Sequence, residues 1–227
     1  MEEVKLACGR ERPIDSRAQG CDASVLLSVN PAGGKTERES PANDPSLRGF
    51  DVIDAAKAAV ERSCPRTVSC ADVLAFAARD SVTLTGNLFY DVPAGRRDGR
   101  VSNETEANDN LLGPDSTAEI LIDGFGKKNL SIEDMVVLSG SHTIGRSHCF
   151  SFLSTNRQRL ANGTISPAYQ ALLEALCPPN PGQFTPNTTE IDVSTPTVLD
   201  NNYYKLLPLN LGLHFSDDQL IRNGTLA

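Results

Sequence analysis

The residues best suited to chemistry cluster around one histidine. The chain has three histidines in 227 residues, and His142 stands in Leu138-Ser-Gly-Ser-His-Thr-Ile-Gly145. A histidine directly after a Ser-Gly turn, at the mouth of a helix, is held by backbone rather than by a flexible loop. A neutral imidazole held that way suits metal ligation or proton transfer; the alternative is a satisfied core histidine. Asp217, in Ser216-Asp-Asp218, reads on its own as a helix cap. Six cysteines (Cys8, Cys21, Cys64, Cys70, Cys149, Cys177) and five N-x-S/T sequons (Asn103, Asn129, Asn162, Asn187, Asn223) complete the set. An even cysteine count beside several sequons favours an oxidising compartment, the alternative being free thiols in a cytosolic chain.

The elements that must position these groups are helical. Apolar residues Leu47, Phe50, Val52, Ile53, Ala56 and Val60 recur at helical spacing and predict a helix from Asn43 to Cys64, before Pro65. Ser69 predicts the cap of a second helix, with Val73, Leu74, Ala77 and Val82 inward and Gly86 at its end. Residues 90–114 read as a long loop. Asp115 to Lys128 is amphipathic, and Ser131-Ile-Glu-Asp134 resembles a capping box opening a short helix through Leu138. A further helix is expected from His142 to Leu160. Ser166-Pro167 places a cap and an N1 proline before Tyr169–Leu176. Residues 178–199 read as loop, and Asp200–Leu207 and Ser216–Arg222 as short helices. Strand patterns are scarce, so the class is mostly α.

Composition narrows the functions. Lys and Arg total 21 against 29 Asp and Glu, a net charge of −8 with a pI near 4.9. That balance argues against nucleic-acid or anionic-membrane binding, which need a basic stripe. Hydrophobic residues at 39% with charged residues at 22% fit a globular chain rather than a disordered one. No apolar run is long enough to span a bilayer, and no apolar segment follows Met1-Glu-Glu3 as a secretory signal would require.

Read in order, Gly20-Cys-Asp-Ala-Ser24, Ser46-Leu-Arg-Gly-Phe-Asp-Val-Ile-Asp54, Val68-Ser-Cys-Ala-Asp72, Ala77-Ala-Arg-Asp80, Gly95-Arg-Arg-Asp-Gly99, Asp134-Met-Val-Val-Leu-Ser-Gly140, the His142 segment, Thr195-Pro196, Asp200-Asn201 and Ser216-Asp217 resemble the secreted plant haem peroxidases of class III. The resemblance runs from about Gly20 to Arg222. It implies an all-α, two-lobed haem peroxidase fold, incomplete at both ends, with haem between the lobes. Residues 1–19 are a divergent segment; the distal lobe covers about 20–110 and the proximal lobe about 111–227.

The same resemblance implies roles. His142 would be the axial ligand of haem iron, and Asp217 the acceptor for its other ring nitrogen. Thr143, Asp192, Thr195, Val198 (through its carbonyl) and Asp200 match a proximal calcium site, whose oxygens D-x-x-T-P-x-x-x-D gathers on one curved loop. Gly20 (carbonyl), Asp22 and Ser24, with Asp15, match a distal calcium site. Cys149 and Cys177 match a family disulfide. Cys64 and Cys70 match cysteines whose partners lie near the chain ends; Cys8 is available to Cys64, and Cys70 has no evident partner. The position expected to pair with Cys21 holds Ser16. The implied reaction is oxidation of phenolic donors by hydrogen peroxide, in a secreted monomer that binds neither nucleic acid nor membrane.

The chain departs from the family on the distal side. Counting back from Gly20, Arg10 falls on the distal arginine, and Ile14 on the position of the distal histidine, next to Pro13. Neither His148, on the expected proximal helix, nor His214 matches that role. Glu37 and Asn43 keep the spacing of residues that orient the distal histidine. Leu112 occupies a substrate-edge position where the family has proline. The alternatives are therefore a non-catalytic calcium- and haem-binding glycoprotein, an inactive fragment, or an all-α binding module without haem.

Overall fold

The computed structural model describes residues 21–224, so Cys8, Arg10, Ile14, Asp15 and Gly20 lie outside the described residues. Nine α-helices and two three-residue strands occur among the described residues. None of those helices is long and apolar enough to cross a membrane. The chain divides after Leu111 into two compact units.

In the first unit, helix α1 spans Phe50–Ser63 and α2 spans Cys70–Gly86. Helix α1 begins seven residues later than its apolar pattern predicts. Pro45 lacks an N–H and disfavours helix at the residue before it. Gly49, at φ 87°, then turns the chain before Phe50. Val52 points outward at 64% exposure, a correction to its expected burial. Ser69 caps α2 by accepting from the Asp72 N–H at 3.0 Å, and Asn87 in the left-handed region ends it. Ala71, Val73, Ala75 and Ala78 are its buried side; of the expected set, Leu74, Ala77 and Val82 are half-buried.

Asp72 is buried and holds the segment that follows α2. It accepts from the backbone N–H of Gly95 (2.7 Å) and Arg96 (3.1 Å) and pairs with the Arg96 guanidinium at 3.1 Å. The expected 90–114 loop contains helix α3, Glu104–Asn110, capped by Asn103. Glu-Thr-Glu-Ala-Asn-Asp-Asn has no apolar stripe, so periodicity could not show it. Ser40 Oγ donates to Asn108 Oδ1 at 2.5 Å and ties α3 to the Glu37–Glu39 3-10 turn.

The second unit carries α4 (Ala118–Lys127, capped by Thr117) and α5 (Ile132–Ser139, with the expected box at Ser131 and Asp134). The single helix expected from His142 to Leu160 is instead three elements. A 3-10 turn covers Gly140–Thr143, strand β1 covers Arg146–His148, and α6 covers Cys149–Ala161. Gly145 at φ 115°, a backbone conformation L side chains rarely adopt, breaks the helix. Helix α7 is Pro167–Leu176 and strand β2 is Thr188–Glu190. The two strands are antiparallel with Ser147 opposite Thr189, which places His148 on a strand rather than on a helix. Helices α8 (Asn202–Leu206) and α9 (Phe215–Arg222) follow.

The core of this unit gathers Phe152, Leu153, Ile165, Tyr169, Leu173, Ile191, Tyr203, Leu207 and Leu213 around the Cys149–Cys177 disulfide, whose Cα atoms are 5.7 Å apart. Cys64 and Cys70 are free thiols, which corrects the pairing of Cys64 with Cys8. Cys21 is disulfide-bonded, so Ser16 at the expected partner position does not leave it orphaned.

Candidate active site

Residues 75 apart in sequence meet at His142. The 3-10 turn after α5 presents its ring, and Asp217 enters from the first turn of α9. His142 Nδ1 lies 2.8 Å from Asp217 Oδ1. An ionised carboxylate is purely an acceptor, so Nδ1 carries the proton and Nε2 is left as the nitrogen with a lone pair for a metal. Asp217 is 1% exposed. Burial alone would raise its pKa, but the charge and hydrogen bond of His142, with His214 beside it, hold it well below the usual carboxylate range. It therefore remains an anion at neutral pH.

Two residues that sequence reasoning assigned no role complete this arrangement. Tyr203 Oη on α8 donates to Asp217 Oδ2 at 2.7 Å. His214, the residue capping α9, donates its backbone N–H to Tyr203 Oη at 3.3 Å. Its ring stands edge-on to that of His142 with centroids 5.2 Å apart, and its Nε2 lies 3.1 Å from Ser147 Oγ on β1. A tyrosine in a short helix with apolar neighbours carries one usable signal: once buried, its hydroxyl must find a partner. Which partner is a tertiary matter.

Beside His142, Thr143 and three loop residues bring oxygens together. Asp192 is fully buried; its Oδ1 accepts from Ser194 N and Oγ at 2.6 Å and from Thr195 N at 3.2 Å. Burial works to raise its pKa, and these bonds outweigh it, lowering the pKa. Thr195 Oγ1 bridges Asp192 Oδ2 (3.0 Å) and Asp200 Oδ1 (3.2 Å), and Asp200 N–H reaches Thr143 Oγ1 at 3.4 Å. Two carboxylates and two hydroxyls in one cluster are a hard-oxygen donor set that fits calcium. Val198 is tied to this loop by its N–H bond to the Thr195 carbonyl at 3.1 Å.

In the first unit, Asp22 Oδ1 accepts from Ser24 N at 3.0 Å, and its carbonyl accepts from Gly99 N at 2.7 Å. Ser24 Oγ donates to Glu37 Oε2 at 2.9 Å, and Asn43 Nδ2 donates to the Glu37 carbonyl at 2.7 Å. Burial raises the Glu37 pKa, with Ser24 opposing it. Leu112, at the start of the second unit, packs on Gly124 and joins Leu121, Met135 and Leu220. A groove of about 620 Å³ in the second unit is lined by Phe150, Arg159, Phe215 and their neighbours, without His142.

The His142–Asp217 pair fits haem. A histidine that ligates haem iron or another metal characteristically gives its second N–H to a carboxylate or carbonyl, which fixes the tautomer and raises ligand basicity. Comparison with known proteins agrees. The family model described as Peroxidase matches residues 8–227. The chain is 62% identical to Peroxidase 1 of Zea mays over 220 residues, covering 94% of this chain and 60% of that protein. It is 48% identical to Peroxidase 5 of Vitis vinifera, covering 94% of this chain and 65% of the relative. Peroxidase 9 of Arabidopsis thaliana is 42% identical, with 91% and 60% covered. The chain thus spans somewhat under two thirds of the length of these relatives. With this match across nearly its whole length, the chain belongs to the peroxidase family and is related to plant class III peroxidases.

Proposed function

We propose that the chain binds haem b through His142 Nε2 and oxidises phenolic donors with hydrogen peroxide. The observation that carries this reading is the 2.8 Å contact between His142 Nδ1 and buried Asp217. Haem, when bound, supplies the electron exchange between peroxide and donor. Overall, one peroxide takes two electrons and two protons to give two waters, and two phenols each give up one hydrogen atom. Asp217 keeps the proton on Nδ1 and so keeps the Nε2 lone pair for iron. The cluster of Thr143, Asp192, Thr195 and Asp200, with the Val198 carbonyl, would hold one calcium. Asp22 and Ser24, with Asp15 and Gly20, would hold a second.

On the peroxide side, Arg10 would stabilise charge as the O–O bond breaks, and Leu112 would border the donor. The family likeness and the cysteine and sequon content support secretion as a glycoprotein, and removal of peroxide under oxidative stress. Small molecules are the partners this reading requires of a monomer.

Ile14 at the expected position of the distal histidine favours a second reading, haem and calcium binding without turnover. Loss of a general acid–base typically costs about 10²–10⁴ in rate. Haemin titration of the calcium-loaded chain, followed by hydrogen peroxide and guaiacol, separates the readings. A stoichiometric Soret shift with donor oxidation above free haemin supports the peroxidase. The same shift without turnover, and lost in His142→Ala, supports the second. Absence of a shift overturns both.

A further inference from the structure

The His142–Asp217 pair has a third member. Asp217 has two oxygens; Oδ1 takes the His142 Nδ1–H, and Oδ2 takes the Tyr203 hydroxyl at 2.7 Å. Tyr203 is fully buried, and its oxygen accepts the His214 backbone N–H at 3.3 Å. With that acceptor role filled and a carboxylate oxygen opposite, the single hydroxyl proton has one direction to point. His214 is itself fixed, its Nε2 lying 3.1 Å from Ser147 Oγ on the strand that follows the His142 turn. A hydrogen bond from a neutral phenol draws negative charge away from a carboxylate. Less charge on Oδ1 means a weaker pull on the His142 proton.

We propose that Tyr203 is a positioning residue: by donating to Asp217 Oδ2 it holds the carboxylate towards His142 and limits how far the imidazole is polarised towards imidazolate. Its consequence for iron rests on the haem reading given above; its effect on the His142 proton does not. Two neighbours share its surroundings without sharing the role. The His214 ring nitrogen Nδ1 is 3.5 Å from Asp217 Oδ2 and makes no hydrogen bond. Tyr204, edge-on to Tyr203 at 5.3 Å, donates instead to the Ser139 carbonyl.

The test uses the full chain labelled with ¹⁵N-histidine, with His142 assigned by its loss in His142→Gln. The native chain is expected to show His142 protonated at Nδ1. Tyr203→Phe moves that proton downfield, because Asp217 regains charge. Site-specific replacement of Tyr203 by 3-fluorotyrosine, a more acidic phenol and a stronger donor of nearly unchanged volume, moves it upfield. Tyr204→Phe leaves it in place. In the haemin-loaded chain the Fe(III)/Fe(II) midpoint falls in Tyr203→Phe and rises with the fluorinated residue. Shifts of the same sign in both variants, or none, overturn the proposal, since a packing role has no reason to reverse with phenol acidity. If Tyr203→Phe does not fold, the fluorinated chain alone decides by the sign of its shift. Failure of haemin to bind, with the proton shifts present, overturns the haem reading and leaves the Tyr203 role standing.

Discussion

Replacing Asp217 with asparagine keeps the shape of the side chain and removes its charge. The carboxylate now accepts two donors, His142 Nδ1–H at 2.8 Å and Tyr203 Oη–H at 2.7 Å. An amide has one oxygen and one NH₂, so it can accept on one side only. If the oxygen faces His142, the buried Tyr203 hydroxyl meets a donor. If the NH₂ faces His142, the imidazole must move its proton to Nε2 to accept, which removes the nitrogen that would bind iron. Either way both bonds lose their charge, and either the Tyr203 hydroxyl proton or the iron-binding tautomer of His142 is given up. Together these cost about 3 kcal/mol, the low end for a broken buried pair. For a chain of this size that is a fall in melting temperature of about 6–12 °C.

The pH dependence of that loss has a definite sign. The folded-state pKa of Asp217 is depressed. Its contribution is therefore complete above the unfolded value of about 3.9 and fades as pH falls below it. Scanning calorimetry of wild type and Asp217→Asn at pH 7 should show the full gap, and scans taken progressively below pH 4 a shrinking one. A variant within about 1 °C of wild type at pH 7, or a gap that does not change with pH, would refute the reasoning.

The Cys149–Cys177 bridge closes a separation of 28 residues, and chain entropy assigns it about 3–4 kcal/mol. Cys177→Ser should lower the melting temperature measured without reductant, and the difference should vanish in dithiothreitol. Asp72→Ala removes three hydrogen bonds and the carboxylate that faces the Arg96 guanidinium, leaving the latter its bond to the Pro93 carbonyl, at a cost of about 3 kcal/mol read in urea unfolding. Chelation by EGTA should lower the melting temperature of the native chain by more than that of Asp192→Ala if the Thr143 cluster holds calcium, because the proposed Asp22 site is emptied in both. Iodoacetamide at pH 8 should label exposed Cys64 faster than Cys70, whose thiol is pushed up by burial and by the Asp98 charge; peptide mass spectrometry reads both rates.

Local rules made some of this structure legible and tertiary contacts hid the rest. Ser69 and Ser131 name their helices, because a side-chain cap is a bond between near neighbours and needs no distant partner, and Pro167 names a third by its fixed φ at the first helical position. The strands Arg146–His148 and Thr188–Glu190 are too short to show a two-residue period, and they exist because each satisfies the other. Apolar spacing extended one helix back through Pro45 and another through Gly145, where the backbone forbids it. At the site, His142 and the Asp192–Asp200 oxygens were readable as residue types. Ordered motifs brought Asp217 to His142. Tyr203, the structure's third partner in that pair, belongs to no local pattern, since its role depends on a carboxylate 14 residues away.

The arrangement also explains why one helix matters to two sites. Asp200 precedes α8 and joins it to the oxygen cluster, accepting from Asn202 N at 2.7 Å and giving its own N–H to Thr143. Tyr203, in the first turn of the same helix, reaches Asp217. Thr143 is the residue after His142. The His142 ring is thus held from both sides by a closed path: backbone to Thr143, Thr143 to Asp200, α8 to Tyr203, Tyr203 to Asp217, and Asp217 back to Nδ1. A closed path resists displacement in a way that a single contact does not, because a shift at any member strains bonds at two others. In this geometry an ion bound at Asp192, Thr195 and Asp200 would be a brace on the imidazole as well as on the loop that carries them.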